Sequence, residues 1–227
     1  MKIFKSACLI ICFWILILNF TTQRIQAEEN IYHNNPEKVK KIALTFDDGP
    51  HPRYTKQILE ILSEYNVTAT FFIIGVNAIN YPDTLLAVKD SGCEIANHTF
   101  SHKSVSSMSV AEIDTEIKDC QSTVYQITGK TTSLFRPPEG ACVEQVKEAA
   151  DELDYKIILW SIDTKDWAHT PSDEMAEKVI SNAKDGDIVL MHDYVSGKNT
   201  TCEALRIIIP KLIEKGYEFV TVSELLD

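Results

Sequence analysis

The sequence predicts an α/β fold of one domain, in which a parallel sheet is covered on both faces by helices. Short apolar runs rich in β-branched and aromatic residues alternate with amphipathic helical segments. These runs are almost continuously apolar, as is typical of strands that are buried on both faces. The 227 residues, 44% of them hydrophobic and 24% charged, suit one domain of the larger kind.

Seven strands are expected, at residues 42–46, 68–75, 93–97, 133–136, 155–162, 187–192 and 217–222. Between them, the segment YTKQILEILSEY has the apolar spacing of a helix. Ser109 and Glu112 have the spacing of a capping box and predict the start of a second helix. Two later segments, TPSDEMAEKVISNA and CEALRIIIPKLIEKG, show the same amphipathic pattern, with a kink expected at Pro210 and an end at Gly216.

Unusual polar residues follow the predicted strands, always at the carboxyl end. They are Asp47, Asp48, His98, His102, Arg136, Asp163, Asp166 and His192. Strands scattered along the sequence bring their ends to a common centre most readily in a closed barrel, where active sites lie at this face. In an open sheet the same residues would cluster only at a switch point. A barrel is therefore the favoured architecture, and an open sheet is the alternative.

Residues 1–27 have the layout of a signal peptide. Two lysines precede an uncharged apolar block at residues 7–20, and the small residue Ala27 stands before an acidic pair. The block is shorter than the ~20 residues that a membrane-spanning helix needs, so an uncleaved anchor is the second interpretation. We therefore expect an extracellular or cell-wall protein, anchored in the membrane if the signal is not cleaved. Residues 28–40 are polar and predict a tether, followed by a catalytic domain at 41–227.

The charge of the chain excludes two classes of partner. The formal net charge is −11, and removal of residues 1–27 leaves 19 basic against 33 acidic residues, or −14. A strongly acidic protein is a poor ligand for nucleic acid and for anionic lipid surfaces. No feature of the sequence requires a protein partner, and a monomer is expected.

Four cysteines lie after residue 27: Cys93, Cys120, Cys142 and Cys202. Outside the cell, an even number permits two disulfides in three connectivities. Partly buried free thiols are the alternative, because a core of this size does not need crosslinks.

The segment HTFSH places His98 and His102 four residues apart, a spacing that brings two imidazoles to one face of a helical turn. Alone, the pattern is a weak signal, and two solvated histidines on a helix are the favoured interpretation. It lacks the glutamate of the HExxH metalloproteases. With a carboxylate from elsewhere, the pair would form a two-His, one-acid metal site with open positions for water.

The adjacent Asp47 and Asp48 can supply that carboxylate. Neighbours in a regular strand point to opposite faces, so both cannot bind one ion from an ideal strand. At a strand end, before Gly49 and Pro50, one can reach a metal while the other faces the substrate. A cation such as zinc would lower the pKa of bound water toward ~7, and the second carboxylate could take the proton. The alternative is that the pair only marks a turn.

The later polar residues allow further roles. Arg136 could keep a neighbouring aspartate ionised, or form a surface salt bridge. Asp166 could hold His192 protonated as a general acid, although a histidine at a strand end is often structural. Trp167 and Leu190 could line an apolar slot, or pack in the core.

Together the segments TFDDGP, HTFSH, RPPEG, DTKDW and LMHD resemble, in order, the five motifs of the polysaccharide deacetylases, carbohydrate esterase family four. The resemblance covers residues 41–225, and the first two motifs are the most specific. It implies a distorted (β/α) barrel with about seven parallel strands in a single domain.

The resemblance also implies roles for the first motifs. Asp47 corresponds to the general base, and Asp48 corresponds to a metal ligand. His98 and His102 correspond to the other two ligands of one divalent ion, Zn²⁺ foremost, with Co²⁺ or another ion as alternatives. Arg136 corresponds to the residue that positions the base.

For the later motifs, the resemblance implies that Asp166 tunes His192, the general acid. It implies that Trp167 and Leu190 shape the pocket for the acetyl methyl group, and that the backbone N–H of Glu139 helps to bind the oxyanion. Many family members have an aromatic residue or glycine where Glu139 stands. The carboxylate would therefore alter one wall of the groove.

The expected function is that of an exported metal-dependent hydrolase. It would remove N-acetyl groups from N-acetylglucosamine units of a β-1,4 glycan, with peptidoglycan first, and release acetate. Chitooligosaccharides come second, and O-acetyl groups of xylan come third. Two functions of other classes are an inactive glycan-binding module and a structural metal protein.

Overall fold

The structure, a computed structural model, describes residues 30–197 and 199–227. The predicted signal peptide, residues 1–27, lies outside the described residues. Within the described ranges, no helix combines the length and the apolar character that crossing a membrane requires.

The described residues form short strands and helices in alternation. The strands are β1 (Ile31–Tyr32), β2 (Lys41–Gly49), β3 (Thr70–Ile73), β4 (Glu94–Asn97), β5 (Leu134–Phe135), β6 (Lys156–Ile158), β7 (Ile162–Asp163), β8 (Asp187–His192) and β9 (Glu218–Phe219). The helices are α1 (Tyr54–Tyr65), α2 (Gly75–Asn80), α3 (Pro82–Asp90), α4 (Val110–Thr128), α5 (Glu144–Glu152), α6 (Ser172–Asn182), α7 (Thr201–Glu214) and α8 (Val222–Leu226).

The named strands pair in parallel, in the order β1-β6-β5-β4-β3-β2-β8-β7, and β9 also pairs with β2. Residues 159–161 join β6 to β7, although the two strands lie toward opposite ends of that order. A short link between distant strands requires the sheet to curl round toward itself. The predicted α/β fold, a distorted parallel barrel in a single domain, is confirmed.

The strand pattern differs from the expected one in two places. The run at residues 155–162 is divided between β6 and β7, because the chain leaves one side of the curled sheet and joins the other. The tether expected at residues 28–40 instead contains β1, in which Ile31 pairs with Ile157. The side chain of Asn35 also donates to the carbonyl of Leu225 at 2.8 Å. Two paired residues are too few for any periodicity, so the sequence pattern does not reveal this strand.

The longer helices agree with their sequence signals. Helix α1 has the expected bounds, and the capping box of α4 is formed by Ser109 and Glu112 in both directions. Helix α7 continues through Pro210 and ends at Glu214. Helices α2, α3, α5 and α8 were not predicted, because they span too few turns to show a clear amphipathic period.

The central strand β2 is buried on both faces. Ile42, Leu44 and Phe46 pack in the layer beneath the helices, whereas Ala43 belongs to a smaller apolar cluster with Phe72 and its neighbours. This double burial explains the near-continuous apolar runs of the sequence. The four described cysteines are free thiols: Cys93, Cys120, Cys142 and Cys202.

Candidate active site

A cavity of about 350 Å³ lies at the carboxyl ends of the barrel strands. Its lining residues come from several separate segments: Asp47, Asp48, His98, His102, Glu139, Gly140, Trp160, Asp163, Trp167, Leu190 and His192. Eight of the ten candidate site residues predicted from the sequence therefore line the cavity. The other two, Arg136 and Asp166, contact the lining residues Asp47 and His192.

The two neighbouring aspartates both reach the cavity because β2 is irregular at its end. The pairing of β2 with β3 shifts register between Phe46 and Gly49. Asp48 has a φ of 73°, a left-handed conformation that is uncommon for a residue other than glycine. The side chain of Asn77 supports this conformation by donating to the carbonyl oxygen of Asp48 at 2.8 Å. The alternation of a regular strand, which would separate the two carboxylates, is thereby broken.

The histidine pair does not lie on a helical turn, so that expectation is wrong. His98 and His102 belong to an irregular loop after β4, with φ of 69° at Thr99 and 55° at His102. The Asn97 side chain accepts from the N–H of Thr99, and the Thr99 hydroxyl accepts from the N–H of His102. Such local side-chain bonds compete with helix formation. The imidazole rings still meet, with centroids 4.9 Å apart.

Asp48, His98 and His102 form the one candidate metal cluster found among the described residues, with ligand atoms all within 4.8 Å of one another. The Oδ1 atom of Asp48 is buried without a hydrogen bond, and lies 3.5 and 3.1 Å from the Nε2 atoms of His98 and His102. The Nδ1 atom of His98 lies 2.6 Å from the carbonyl oxygen of Arg136, which leaves Nε2 to act as a ligand. An orphaned carboxylate oxygen between two imidazoles fits a divalent ion such as zinc.

The charge state of Asp48 is consistent with such a site. Burial alone would raise the pKa of its carboxyl group. The facing imidazoles of His102 and His98 outweigh burial and lower that pKa below its ordinary value. The carboxylate therefore remains ionised, as metal binding requires.

Arg136 forms a buried ion pair rather than a surface one. Its guanidinium group is fully buried, and Nη1 donates to Oδ1 of Asp47 at 2.6 Å and to the hydroxyl of Thr45 at 2.9 Å. Nε and Nη2 donate to the carbonyl oxygens of Ile158 and Leu159, each at 3.0 Å. These bonds fix the Asp47 carboxylate, whose Oδ2 lies 3.8 Å from the Nε2 atom of His98.

His192 is held by Asp166. The carboxylate of Asp166 lies 2.8 Å from the His192 Nδ1 atom through one oxygen, and its other oxygen accepts from the His192 backbone N–H at 2.6 Å. The hydroxyl of Thr201 donates to the same carboxylate at 3.1 Å. Burial opposes a charge on His192, but Asp166 outweighs it and raises the pKa of His192 to about 9. An imidazole that is protonated near neutral pH suits proton donation.

The remaining predicted residues form the cavity walls. Glu139 is exposed and has a φ of 60° in the turn after Pro138, whereas Leu190 is buried and Trp167 is 54% exposed. Trp160 also lines the cavity, although sequence reasoning placed it only within a predicted strand. A Cβ atom at Gly140 would lie 2.7 Å from the Trp160 ring, so a glycine there lets the ring pack against the turn.

Asp193 is a buried residue that sequence reasoning did not single out. Its N–H donates to the carbonyl of Asp47 at 3.2 Å, and its carboxylate accepts from the hydroxyl of Thr55. The same carboxylate packs against the α-carbon of Gly49, where it leaves no room for a Cβ atom. Burial raises the pKa of Asp193 to about 8. The fully buried side chain therefore fixes the turn that follows the two aspartates.

Acid–base groups and a candidate metal cluster at the carboxyl end of a parallel barrel define an enzyme-type site. The polysaccharide deacetylase profile matches residues 34–158, and the chain belongs to this family. The resemblance inferred from the five motifs is confirmed, as is the predicted enzyme class, a hydrolase of the deacetylase type.

Three relatives illustrate the similarity. A peptidoglycan-N-acetylglucosamine deacetylase of Bacillus cereus is 42% identical over 84% of this chain and 90% of its own length. The crystal structure of a peptidoglycan N-acetylglucosamine deacetylase in complex with a naphthalenyl N-oxidanyl-benzamide has a TM-score of 0.83. It is 32% identical, covering 86% of this chain and 92% of that one. A pseudoenzyme of the same family from Bacillus anthracis has a TM-score of 0.81 and 30% identity, covering 87% of this chain and 69% of that one.

Some relatives are much longer than this chain. A peptidoglycan-N-acetylglucosamine deacetylase of Listeria monocytogenes is 39% identical over a matched segment. That segment makes up 82% of this chain but only 39% of the Listeria protein.

Proposed function

We propose that this protein is an exported, metal-dependent N-deacetylase that acts on N-acetylglucosamine units of peptidoglycan. The reaction hydrolyses the amide bond, releases acetate and leaves a free amine on the sugar. One observation carries the proposal: Asp47, fixed by Arg136, opens onto the same cavity of about 350 Å³ as the cluster of Asp48, His98 and His102.

Asp48, His98 and His102 would hold one divalent ion, with Zn²⁺ first and Co²⁺ as an alternative. When bound, such an ion polarises a carbonyl group and lowers the pKa of bound water toward ~7. The chain contributes a preformed donor set, since the Asp48 oxygen is already buried and faces both imidazoles.

Asp47 is assigned as the general base. Its buried carboxylate lines the cavity, and the hydrogen bond from Arg136 holds it in one orientation. From this position it accepts the proton of the attacking water. Arg136 lies outside the cavity lining, and therefore acts through Asp47 rather than on the substrate.

His192 is assigned as the general acid that protonates the leaving amine nitrogen. Because Nδ1 faces Asp166, Nε2 is the nitrogen that can donate to the substrate. The N–H of Glu139, a residue that also lines the cavity, would donate to the carbonyl oxygen as negative charge develops. Trp167 and Leu190 would contact the acetyl methyl group, because both line the cavity with apolar surface.

The glycan is proposed from two lines of support. The relatives described above bear names that specify peptidoglycan-N-acetylglucosamine. The sequence features of residues 1–27 favour export, which would bring the domain to the cell wall. Chitooligosaccharides and acetylated xylan are the alternative substrates.

An inactive glycan-binding module is the principal function of another class, since a pseudoenzyme shares the fold. Glycan binding alone does not need a buried aspartate–arginine pair, nor a histidine whose pKa is raised to about 9 by Asp166. Both features serve proton transfer. They favour an active hydrolase.

The decisive experiment measures acetate release from peptidoglycan, chitooligosaccharides and acetylated xylan in parallel, with Zn²⁺ or Co²⁺ added. Acetate from peptidoglycan, together with new glucosamine, is expected. Release of acetate from acetylated xylan alone would show that the protein is an esterase rather than an amidase. If no substrate yields acetate and chelation unfolds the chain, the cluster has a structural role instead.

A further inference from the structure

The first described residues of the chain are bound along the path that leads from β6 to β7. Residues 30–35 are here called the N-terminal brace, and residues 157–160 are called the crossing segment. Three hydrogen bonds join the two, and they link the N–H of Ile157 to the carbonyl of Asn30 at 2.8 Å, the N–H of Leu159 to the carbonyl of Tyr32 at 2.8 Å, and Nδ1 of His33 to the carbonyl of Trp160 at 3.3 Å. The brace therefore holds the crossing segment along its whole length.

The other end of the brace is fixed near the start of β8. The N–H of Asn35 donates to the carbonyl of Gly186 at 2.8 Å, and the Asn35 side chain donates to the carbonyl of Leu225 on α8, also at 2.8 Å. A Cβ atom at Gly186 would collide with the carbonyl oxygen of Asn35, so the two backbones meet more closely than any other residue type allows. The brace thus links β6 to β8, the same two sides of the curled sheet that the crossing segment connects.

The crossing segment supplies two of the hydrogen-bond acceptors of Arg136. The Nε and Nη2 atoms of this residue donate to the carbonyl oxygens of Ile158 and Leu159, each at 3.0 Å. Its Nη1 atom donates to Oδ1 of Asp47 at 2.6 Å. Because a guanidinium group is planar and rigid, its donors cannot be directed independently. A displacement of the two carbonyl groups would therefore also displace the donor that Asp47 receives.

The crossing segment also forms part of the cavity wall. Trp160 lines the cavity, and the guanidinium carbon of Arg136 lies 5.6 Å from the centroid of the Trp160 ring. Tyr32 and Trp160 pack against the same small apolar cluster. The residues of the brace are not among those that line the cavity. Their effect on the cavity is therefore exerted through the crossing segment.

We propose that the N-terminal brace is a positioning element of the catalytic site, which orients the Asp47 carboxylate through the crossing segment and Arg136. The inference rests on the proposed function, in which Asp47 is the general base. The metal cluster comes from other segments, the end of β2 and the loop after β4. Loosening the brace should therefore slow the proton transfer while the ion remains bound.

The first test compares the wild type with Tyr32→Pro, because a proline cannot donate to the ladder between β1 and β6. Since a catalytic group misplaced by about 1 Å can cost ~10² in rate, we expect kcat for acetate release from peptidoglycan to fall roughly 10- to 100-fold. KM should change little, and the metal content should be that of the wild type. Tyr32→Phe keeps both the N–H and the ring, and should retain the wild-type kcat.

Two further variants show whether the brace acts through the base. His33→Ala removes one hydrogen bond from an exposed side chain, so it should fold and lower kcat by a smaller factor, about threefold. In an Asp47→Asn background, Tyr32→Pro should cause no further loss, because residues that act as a unit are not additive. A further loss as large as in the wild-type background would show that the brace does not act through Asp47. An unchanged kcat in both brace variants would also overturn the inference.

A second measurement does not depend on activity. The Nε–H of Arg136 is buried and bonded to the carbonyl of Ile158, so its proton should exchange slowly with solvent, as measured by NMR. In Tyr32→Pro we expect this exchange to be about tenfold faster, the effect of about 1.4 kcal/mol less protection. Val179→Ala is the control, because Val179 is fully buried on α6 and its truncation destabilises the core away from the brace.

The exchange measurement separates this inference from the proposed function. Unchanged exchange of the Arg136 proton in Tyr32→Pro, or an equal acceleration in Val179→Ala, would overturn the inference. If exchange is faster in Tyr32→Pro alone but the wild type releases no acetate from any substrate, the brace positions Arg136 and the deacetylase proposal fails. If Tyr32→Pro does not fold, His33→Ala takes its place in both measurements, with the smaller effect expected for one hydrogen bond.

Discussion

The Nη1 atom of Arg136 donates to the Oδ1 atom of Asp47 at 2.6 Å, and both side chains are buried. Removing the cation from such a pair leaves an uncompensated buried charge. We expect Arg136→Met to lower the free energy of unfolding by roughly 3–5 kcal/mol, measured by urea denaturation.

Arg206→Met is the control for this prediction. Arg206 also forms two bonds to a carboxylate, that of Glu64, but the pair lies on the surface. Its removal should cost much less, because exposed ion pairs contribute little. Equal losses in the two variants would contradict a special role for the buried pair.

Asp47→Asn and Asp48→Asn should separate the two carboxylates by function. Loss of the general base at Asp47 is expected to lower kcat by roughly 10²–10⁴ while one metal ion per chain is retained. Asp48→Asn should instead lower the metal content, measured by atomic absorption after dialysis. If Asp47→Asn loses the metal and keeps its activity when metal is resupplied, the two assignments are exchanged.

The pH dependence of activity should report His192. A general acid must be protonated, so the rate should fall as pH rises through about 9, the value to which Asp166 raises the pKa of His192. Asp166→Asn removes the charge that favours the imidazolium, and the alkaline limb should move to lower pH. Asp90→Asn, at an exposed carboxylate, is the control. An alkaline limb at the same pH in Asp166→Asn would exclude His192 as its source.

Metal removal should abolish acetate release without unfolding the protein. The cluster of Asp48, His98 and His102 lies at the barrel mouth, whereas the apolar core forms beneath it. We therefore expect unchanged far-UV circular dichroism after chelation, and recovery of activity when Zn²⁺ or Co²⁺ is restored. Loss of the dichroism signal on chelation would show that the ion holds the fold.

The contact between Gly49 and Asp193 predicts a non-additive pair of mutations. In Gly49→Ala the new methyl group would collide with the Asp193 carboxylate, at an expected cost of about 1–3 kcal/mol. Asp193→Ala alone should also destabilise the protein, because the hydroxyl of Thr55 loses its acceptor. The double variant should cost less than the sum of the two. Additive free energies of unfolding would show that the two residues do not compete for the same space.

Periodicity predicted the parts of this fold that are long enough to display it. The bounds of α1 and the capping box of α4 follow from side-chain spacing, which depends only on local geometry. Strand β1 could not be predicted from side-chain spacing, because its two residues join the sheet through backbone bonds to β6. The HTFSH spacing predicted a helical turn. Instead, the side chains of Asn97 and Thr99 accept hydrogen bonds from the backbone N–H groups of Thr99 and His102, and the segment forms an irregular loop.

The candidate site was predictable to the extent that its groups stand at strand ends. Asp47, Asp48 and His192 could be placed at one face because parallel strands end together. The role of Asp193 could not be predicted, because its partner Thr55 lies on a helix far away in the sequence. No sequence pattern indicates that the two residues are in contact. Trp160 likewise enters the cavity only because the chain breaks between β6 and β7.

The position of β2 also constrains how the protein folds. This strand pairs with β3, which follows soon after it, and with β8 and β9 near the end of the chain. Contacts between such distant segments slow folding, because a long loop must close before they form. Asp47 therefore reaches its paired position opposite His192 only after the C-terminal strands arrive. A chain interrupted before residue 187 would leave β2 with an unpaired edge, which is a site of aggregation.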